Sequence, residues 1–294
     1  MKILISGALG YIGTQLLHNL RNTEHEILAF DNSDDAIHSR LGYLLHNNKK
    51  LNFLKYDLQD DLTVFKDCDL VIHLAAEVGY ITCDENPDLA KNTNIQGTKK
   101  IADLNLPTIF LSTGSVYGKL EKDCVETLPL NPATLYAETK SIGEDIIKEI
   151  DSFTILRPAT AYGLSFKVRH DLLIHTLCND AVKNGHIDLY QPNAQRTFFH
   201  VNDLANTIEY IVDNFSQFKG EIFNVGSDLL NIKKIEIVEE IKKYINLSYE
   251  IVKDEDKDKR DYYVDYSKLN KYFQANKPLE ISSIIKFYKS FHSI

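Results

Sequence analysis

Residues 1–13, MKILISGALGYIG, decide the fold of this chain. They begin with an apolar run at residues 3–5, which is typical of a parallel strand buried on both faces. Three glycines follow at three-residue spacing: Gly7, Gly10 and Gly13. Residues 11–20 then have the pattern of a helix. The segment therefore predicts a buried strand, a glycine turn and a helix that starts at the turn.

Each glycine of this turn has a distinct use. One permits the tight exit from the strand, one lets the backbone approach a pyrophosphate, and one lets the helix pack closely on the sheet. The helix starts with Tyr11 and Ile12, and its N-terminus offers free N–H groups and partial positive charge to a phosphate. The alternative is a ligand-free turn of small residues, but a position between the first strand and helix favours a dinucleotide site.

An acidic residue closes the second predicted strand, residues 26–30. This residue, Asp31, stands about 20 residues after the glycines, where a carboxylate accepts hydrogen bonds from the adenosine ribose and repels a 2′-phosphate. Asp31 and the adjacent Asn32 therefore predict NAD rather than NADP as the cofactor. The alternative is that they form a turn or cap the next helix.

Strands and helices alternate at short spacing through the first half of the chain. Further strands are predicted at residues 51–55, 70–74, 108–111 and 153–156, and helices at residues 87–104 and 136–150. This alternation predicts an α/β fold with a Rossmann-type, doubly wound parallel sheet. Such sheets bind ligands beyond the carboxyl ends of their strands. Leu74, Ala75 and Ala76 lie at such an end, where the small alanines leave room for a cofactor.

The pattern loosens after Pro158. Helices are predicted at residues 171–184, 201–215 and 232–245, and strands at residues 187–190, 221–225 and 249–252. We expect residues 1–164 to form the NAD-binding domain and residues 165–294 a smaller α/β lobe for the substrate. Residues near 200–225 are expected to pack back on the first domain. A charged run at residues 254–260 is typical of a solvated loop.

Composition excludes several classes of function. The 294 residues carry a net charge of −9, which argues against nonspecific nucleic-acid binding. No apolar run reaches membrane-spanning length, and a strand from residue 2 leaves no room for a signal peptide. The four cysteines are far apart and fit no zinc spacing, so we expect no metal site and reduced thiols in a cytoplasmic protein.

The segment YAETK places Tyr136 and Lys140 one helical turn apart on one face. A free tyrosine has a pKa near 10, and lowering it by about 3 units requires about 4 kcal/mol of differential stabilisation. The lysine ammonium and a positive nicotinamide can together supply this in a partly desolvated site. Tyr136 can then take a proton from a substrate hydroxyl while hydride leaves the same carbon. Such pairs also occur by chance on helix surfaces.

The segment STGSVYG, residues 112–118, stands at the end of the fifth predicted strand. A hydroxyl there could hydrogen-bond the substrate oxygen that reacts and stabilise its developing charge. Serine and threonine are also ordinary turn formers at strand ends.

Together these motifs form an ordered set. The glycine turn and Asp31 are followed by HLAA at residues 73–76, STGSVYG, YAETK and Arg157-Pro158. The second half adds QRTFFHVNDLA at residues 195–205 and FNVG at residues 223–226. In this order they resemble the extended short-chain dehydrogenase/reductase family, the NAD-dependent nucleotide-sugar epimerases and dehydratases.

The resemblance implies roles for the reacting residues. Tyr136 is implied as the catalytic base, and Lys140 as its activator and a ligand of the nicotinamide ribose. Alignment on V-Y-G places the catalytic hydroxyl at Thr113 rather than at Ser112. Thr113, Ser112 and Ser115 are expected to contact the substrate.

The resemblance also implies further cofactor contacts. Asp57 and Leu58 would touch the adenine, and Asn94 matches the asparagine of the family's N-x-x-G-T helix. His73, within HLAA, is expected to be structural rather than catalytic.

Three arginines and a glutamate are expected at the substrate. Arg196 matches an arginine that commonly contacts the substrate diphosphate, which a guanidinium can bind through two hydrogen bonds. Arg169 and Arg260 are candidates to assist it. Glu77, which follows HLAA, either binds the sugar or is a loop carboxylate in water.

Two departures from the family narrow the reaction. The 4,6-dehydratases carry an acidic residue after the catalytic threonine for proton transfer at C5–C6, whereas Gly114 and Ser115 stand there in this chain, so dehydration is not expected. Residues 159–165 replace the usual N-x-Y-G-P and, with residues 169–173, resemble a subgroup that includes GDP-heptose 4-dehydrogenases.

We therefore expect an NAD-dependent enzyme that oxidises a nucleotide-diphosphate sugar at C4, and we favour a 4-epimerase. A 4-dehydrogenase and a keto-sugar reductase use the same residues and are the alternatives. A non-catalytic NAD-binding regulator is disfavoured because Tyr136 and Lys140 are both present. The resemblance also implies a homodimer formed through two helices that flank the sheet.

Overall fold

The computed structural model describes residues 1–33, 40–118, 123–253, 263–274 and 277–292. The strands are β1 (Lys2–Ser6), β2 (Glu26–Asp31), β3 (Leu51–Lys55), β4 (Leu70–His73), β5 (Thr108–Leu111), β6 (Phe153–Pro158), β7 (Thr160–Tyr162), β8 (His186–Tyr190), β9 (Gln195–His200), β10 (Glu221–Val225), β11 (Asn231–Lys233) and β12 (Ser248–Val252). The helices are α1 (Tyr11–Asn19), α2 (Arg40–Asn47), α3 (Tyr80–Glu85), α4 (Pro87–Lys91), α5 (Thr98–Ala102), α6 (Leu135–Lys148), α7 (Leu173–Asn184), α8 (Val201–Asp213), α9 (Phe215–Phe218), α10 (Lys234–Lys242), α11 (Ser267–Asn270) and α12 (Ser282–Phe291).

Seven strands form one parallel sheet in the order β10-β6-β5-β4-β1-β2-β3. The chain runs outward from β1 to β3, returns to the other side of β1, and runs outward again from β4 to β10. The order therefore reverses between β1 and β4, so a ligand crevice is expected beyond the carboxyl ends of these two strands. The predicted doubly wound α/β sheet is confirmed.

β1 is buried on both faces, as its apolar run predicts. Ile3 and Ile5 are fully buried in a core that includes Leu17 of α1. Leu4 is fully buried in a second core on the opposite face, which includes Ile101 of α5. Full burial of one such side chain stabilises the fold by about 1.5–3 kcal/mol.

Two elements from the second half of the chain join this sheet. β10 pairs in parallel with β6 at its edge. α8 packs on α1, where Gln15 Nε2 donates to Asn202 Oδ1 over 3.2 Å and Asn19 Nδ2 donates to Asn206 Oδ1 over 2.6 Å. These contacts bring the chain back over the helix that follows the glycine turn.

Most of the remaining elements of the second half surround a separate core, whereas α9 and α11 contribute Phe218 and Leu269 to the core of the large sheet. Those around the separate core comprise a three-stranded sheet, β11-β9-β7, a two-stranded parallel sheet, β12-β8, and the helices α7, α10 and α12. The fully buried members of this core include Cys178, Ile237, Val238, Ile241, Ile281, Ile284 and Tyr288.

The predicted helix at residues 87–104 is divided into three parts. α4 and α5 flank a π-helical turn at Asn92–Gly97. Within this turn, the side chain of Asn94 hydrogen-bonds both backbone groups of Glu77, on the segment that follows β4. The π-helical turn thus contains the residue, Asn94, that is held by contacts outside the helix. Such turns are frequent at functional sites.

Two further differences lie in the second half. The helix predicted at residues 232–245 begins at Lys234, because Ile232 pairs in β11 with Arg196 of β9. α12 was not among the predicted elements; it packs on α7, and its Ile285 is buried in the same core as Leu177 of α7. The charged run at residues 254–260 lies outside the described residues.

Among the helices that the structure describes, we find none with the length and apolar character needed to cross a membrane.

Candidate active site

The glycine turn is closed by direct contact with the end of β4. Gly7 has a φ of +70°, and a Cβ atom there would lie 2.5 Å from the backbone nitrogen of Ala75. The first backbone bond of α1 runs from Thr14 N to Gly10 O over 3.0 Å. The N–H groups of Tyr11, Ile12 and Gly13 precede this bond and have no partner within the helix. The turn therefore presents a cradle of backbone donors.

Asp31 joins this turn to the end of β2. Its Oδ2 accepts a hydrogen bond from Leu9 N over 2.9 Å, and its Oδ1 accepts one from Ser33 N over 2.9 Å. The side chain is half-buried, so its oxygens keep acceptor capacity toward a ligand. Asp31 can therefore hold the glycine turn through Leu9 and still accept hydrogen bonds from a ribose, as predicted.

The other predicted adenine-side residues lie nearby. Asn32 Nδ2 donates to Asp57 Oδ2 over 2.7 Å, which connects the ends of β2 and β3. Leu58 is 5% exposed and packs against Gly97, where a Cβ atom would lie 2.8 Å from Leu58 Cδ1. Leu58 therefore belongs mainly to the core beneath this edge.

Asn94 is fully buried and links three parts of the site. Its Oδ1 accepts from Glu77 N over 2.8 Å, and its Nδ2 donates to Glu77 O over 3.0 Å and to Thr139 Oγ1 over 3.0 Å. Thr139 Oγ1 in turn donates to Tyr136 O over 2.9 Å. The segment after β4 is thereby fixed to the turn of α6 that carries Tyr136. The Glu77 side chain is half-buried.

His73 is fully buried between β1 and the π-helical turn. Thr98 Oγ1 donates to Asn94 O over 2.7 Å, so it accepts from His73 Nε2 over 3.0 Å. His73 Nδ1 then accepts from Ser6 Oγ over 2.7 Å. Burial lowers the pKa of His73 to about 3, which keeps the ring neutral. These contacts agree with the structural role expected for His73.

Tyr136 and Lys140 lie one turn apart near the start of α6. Thr134 begins the helix, and its hydroxyl accepts from Ala137 N over 3.2 Å. Lys140 is 2% exposed, and its Nζ lies 4.1 Å from the centroid of the Phe110 ring. Burial lowers the pKa of Lys140 to about 7, and the Glu144 carboxylate opposes this shift. The half-buried Tyr136 thus has a buried amine as its neighbour.

Thr113 lies at the end of β5, where the strand turns into a short 3₁₀ helix at Gly114–Tyr117. Its Oγ1 accepts a hydrogen bond from Ser115 N over 3.2 Å and can still donate its own proton. Ser115 is half-buried. Ser112 is 2% exposed, and its hydroxyl donates to Glu144 Oε1 over 2.6 Å. The structure therefore commits the Ser112 hydroxyl to the protein interior.

Two of the predicted arginines lie within the described residues. Arg169 donates through Nε and Nη2 to the two carboxylate oxygens of Asp171, over 2.7 and 2.5 Å. This pairing raises the pKa of Arg169. Arg196, in β9, is 4% exposed.

Arg260 lies outside the described residues.

The loop after β7 packs directly on the glycine-turn helix. Tyr11 Oη donates to Gly163 O over 2.6 Å, and Ser165 Oγ donates to Tyr11 O over 2.7 Å. Gly163 and Ser165 lie in the stretch 159–165 that resembles the subgroup, but the sequence alone did not predict this contact. The available signal was Tyr11 itself, because a large polar side chain at the start of the glycine-turn helix needs a hydrogen-bond partner from another segment.

Sequence reasoning also missed Glu144. Its carboxylate binds Arg157 through two hydrogen bonds, over 2.9 and 2.7 Å, and both side chains are at most 2% exposed. A repeat of four residues from Tyr136 through Lys140 to Glu144 places all three on one helix face, and this spacing was the available signal.

These residues fit a dinucleotide. A Cβ atom at Gly7 would collide with the backbone of Ala75, so only glycine lets the turn approach the segment after β4 this closely. Asp31 supplies acceptors for ribose hydroxyls at the carboxyl end of β2, the strand next to β1 on the side away from β4. A carboxylate there disfavours a 2′-phosphate.

Sequence comparison identifies the family. A family model described as NAD dependent epimerase/dehydratase family matches residues 3–226. A UDP-glucose 4-epimerase of Mycolicibacterium smegmatis is 30% identical over 145 residues, which are 45% of this chain and 46% of that protein. A dTDP-glucose 4,6-dehydratase of Mycobacterium tuberculosis is 27% identical over 153 residues, 45% of this chain and 44% of that protein. The matched stretch spans less than half the length of these relatives.

Structural comparison agrees on the fold. The UDP-glucuronic acid 4-epimerase of Bacillus cereus, solved with UDP-glucuronic acid and NAD, has a TM-score of 0.83 at 24% identity and covers 99% of this chain and 100% of that chain. The dTDP-glucose 4,6-dehydratase DesIV of Streptomyces venezuelae has a TM-score of 0.83 at 20% identity, with 100% and 97% covered. Since the family model covers most of the chain, the protein belongs to the NAD dependent epimerase/dehydratase family, within the extended short-chain dehydrogenases/reductases, and uses NAD as its cofactor.

Proposed function

We propose that this protein oxidises the sugar of a nucleotide-diphosphate sugar at C4 and acts as a 4-epimerase. The observation that carries the proposal is the placement of Tyr136 one turn before a buried lysine, Lys140. Thr113, at the neighbouring strand end, has a hydroxyl proton to donate. A base, its activating cation and a hydrogen-bond donor are the groups needed to oxidise a secondary alcohol.

The three side chains divide the work. Tyr136 takes the proton from the C4 hydroxyl, and the Lys140 ammonium stabilises the phenolate that does so. Thr113 donates a hydrogen bond to the same oxygen as charge develops on it. NAD, held by the glycine turn and Asp31, would supply the hydride acceptor for C4 and the hydride donor for its return. Return to the opposite face of the rotated keto sugar would give the C4 epimer.

The chain has no acidic residue directly after Thr113, where the 4,6-dehydratases carry one. Gly114 and Ser115 follow Thr113, and neither side chain can move protons at C5 and C6 as a carboxyl group does. This is the reason to prefer the epimerase, although dehydratases occur among the relatives and share the fold.

We assign the cofactor and substrate contacts as follows. The cofactor residues are Gly7, Gly10, Tyr11, Ile12, Gly13, Asp31, Asn32, Asp57, Leu58, Leu74, Ala75, Ala76, Asn94, Tyr136 and Lys140. The substrate residues are Glu77, Thr113, Ser115, Arg169, Arg196 and Arg260. Residues 1–164 would hold mainly the cofactor and residues 165–294 mainly the substrate. Ser112, an initial substrate candidate, is assigned instead to the interior because its hydroxyl donates to Glu144.

UDP-hexoses and UDP-hexuronic acids are the first substrates to test, because relatives and structural neighbours are described as UDP-glucose and UDP-glucuronic acid 4-epimerases. Guanidinium groups at Arg196 and Arg169 suit the diphosphate or another anionic group of such a substrate.

The proposal includes a cytoplasmic homodimer. Ile81 of α3, Leu89 of α4 and Ile142 of α6 are 55%, 50% and 36% exposed, and α3 and α4 both pack against α6. Apolar side chains on adjoining helices suit a contact with a second copy of the chain. The four cysteines are buried and none is in a disulfide, which agrees with a reducing compartment: Cys68, Cys83, Cys124 and Cys178.

The first experiment is mass spectrometry of ligands released by denaturing freshly purified protein, with the Tyr136→Phe variant as the matched control. Stoichiometric NAD in both proteins supports an internal hydride shuttle, hence the epimerase. Protein that releases no cofactor favours the 4-dehydrogenase or the reductase, in which the cofactor exchanges at each turnover. Turnover that persists undiminished in Tyr136→Phe contradicts the assigned base.

A further inference from the structure

The face of α6 that carries the reacting residues continues into the protein interior. Tyr136, Lys140 and Glu144 recur at four-residue intervals, so they lie along one face of the helix. Exposure falls along this row, from the half-buried Tyr136 to Lys140 at 2% and Glu144 at 0%. The row ends at a carboxylate that no substrate can reach directly.

Glu144 is the meeting point of three elements. Its Oε1 accepts from Ser112 Oγ over 2.6 Å and from Arg157 Nε over 2.9 Å. Its Oε2 accepts from Arg157 Nη2 over 2.7 Å. Ser112 directly precedes Thr113 at the end of β5, and Arg157 lies in β6. The carboxylate therefore holds both strand ends against the helix that carries Tyr136.

A buried ion pair is not needed for stability alone. Removing each charge from water carries an effective penalty of several kcal/mol, and well-packed apolar residues often replace such a pair without loss of stability. Arg157 and Glu144 are nevertheless both charged groups at 2% exposure or less. The position of Glu144 one helical turn after Lys140 points to a use for the negative charge.

Lys140 is the group that would use this charge. Desolvation favours its neutral form, and only a cationic Lys140 stabilises a Tyr136 phenolate. Three other titratable groups of the described residues face this region. His73 of β4 is neutral because burial lowers its pKa to about 3, and Arg157 of β6 is paired with Glu144. Tyr117, which accepts from Arg157 Nη1 over 2.9 Å, stays neutral because burial raises its pKa to about 12. Glu144 is therefore the anion that favours the charged lysine.

We propose that Glu144 is a positioning residue of the active site, whose carboxylate keeps Lys140 cationic beside Tyr136 and whose hydrogen bonds hold Thr113 in place against α6. The inference rests on the proposed function, in which Tyr136 is the base. Loss of the carboxylate acts twice on Lys140, because it removes a nearby anion and leaves the Arg157 guanidinium without its partner.

The test is a pH titration of the Tyr136 phenolate absorbance in protein saturated with NAD and free of sugar. Each protein is compared with its own Tyr136→Phe version, so that the difference reports Tyr136 alone. The variants are Glu144→Gln, which removes the charge, and Glu144→Asp, which retains it. Asp145→Asn is the matched control, because it removes a carboxylate from the next position of α6, where the side chain is 73% exposed.

Glu144→Gln is expected to raise the titration midpoint of Tyr136 by one pH unit or more, which is about a tenfold loss of phenolate at neutral pH. Glu144→Asp and Asp145→Asn are expected to stay within about half a unit of the parent protein, a shift small on this scale. A folded Glu144→Gln protein with the parent midpoint overturns the inference, and so does an equal shift in Asp145→Asn.

Two controls keep the result interpretable. Where Glu144→Gln does not fold, the double variant Glu144→Met/Arg157→Met replaces the pair with apolar side chains and is expected to shift the midpoint in the same direction. An unchanged midpoint there also overturns the inference. A Tyr136 that does not titrate near neutrality in the parent protein refutes the proposed base itself, which is a separate outcome from an unmoved midpoint in the variants.

Discussion

Gly7→Ala is expected to destabilise the protein and to weaken NAD binding together. The φ of +70° is in the left-handed region, where a Cβ atom costs about 1–2 kcal/mol. The new atom would also lie 2.5 Å and 2.6 Å from the nitrogen and Cα of Ala75, which are backbone atoms that cannot rotate away. Overpacking of this kind typically adds about 1–3 kcal/mol. The free energy of unfolding should therefore fall by about 2–5 kcal/mol, the sum of these effects.

Two other glycines separate the contributions. Gly185 ends α7 with a φ of +61° and open space within 4 Å, so Gly185→Ala should lose only the conformational part, about 1–2 kcal/mol. Gly42 lies within α2, also with open space, and Gly42→Ala should stabilise the helix by about 0.5–1 kcal/mol. Urea unfolding measures the three free energies, and calorimetric titration measures NAD affinity.

The expected order is a large loss for Gly7→Ala, a smaller one for Gly185→Ala and a gain for Gly42→Ala, with NAD affinity reduced in Gly7→Ala alone. A Gly7→Ala protein as stable as Gly185→Ala would show that the contact between the turn and β4 can relax. Unchanged NAD affinity in a destabilised Gly7→Ala protein would refute the placement of the cofactor at this turn.

Four further outcomes follow from the same structure. Tyr136→Phe should lower turnover by about 10²–10⁴-fold while NAD affinity is retained, and equal losses of both would contradict its role as a base. Lys140→Met should abolish turnover but raise the free energy of unfolding near pH 6, because the folded state disfavours the lysine ammonium. This gain should shrink as pH rises from about 7 toward 10.5, because in that interval the unfolded lysine still binds its proton and the folded lysine does not. Thermal unfolding measured against pH tests this. Ser112→Ala should lose about 1–2 kcal/mol of stability because Glu144 loses a donor, and urea unfolding measures the loss; an unchanged free energy of unfolding would contradict the buried bond. Ile142→Glu should give a monomer in light scattering after size exclusion, and a persistent dimer would place the interface elsewhere.

The sheet could be predicted from the sequence because its signals are local. The apolar run of β1 and the glycines after it specify a strand, a turn and a helix within residues 1–19, and the same alternation repeats down to β6. For most of these elements, the predicted and observed ends differ by only a few residues. The order of the strands then follows from general rules of chain connection.

The interior of the site could not be predicted in the same way. Asn94 lies in a π-helical turn and bonds Glu77, and the sequence does not predict this contact because the two residues are 17 positions apart. Glu144 acquires its role only when Arg157 and Ser112 come within hydrogen-bond distance. Each of these contacts depends on packing between elements, which hydrophobic periodicity does not encode.

Transfer of hydride from C4 of a nucleotide sugar and back to the same carbon is the core of the proposed reaction. It is tested most directly by incubating the purified protein with UDP-glucose and UDP-glucuronic acid in D₂O and following the C4 signal of the sugar by proton NMR. We predict a C4 epimer that retains its C4 hydrogen in the native protein and no epimer in Tyr136→Phe. An epimer that carries deuterium at C4, or one formed equally fast by Tyr136→Phe, would contradict it.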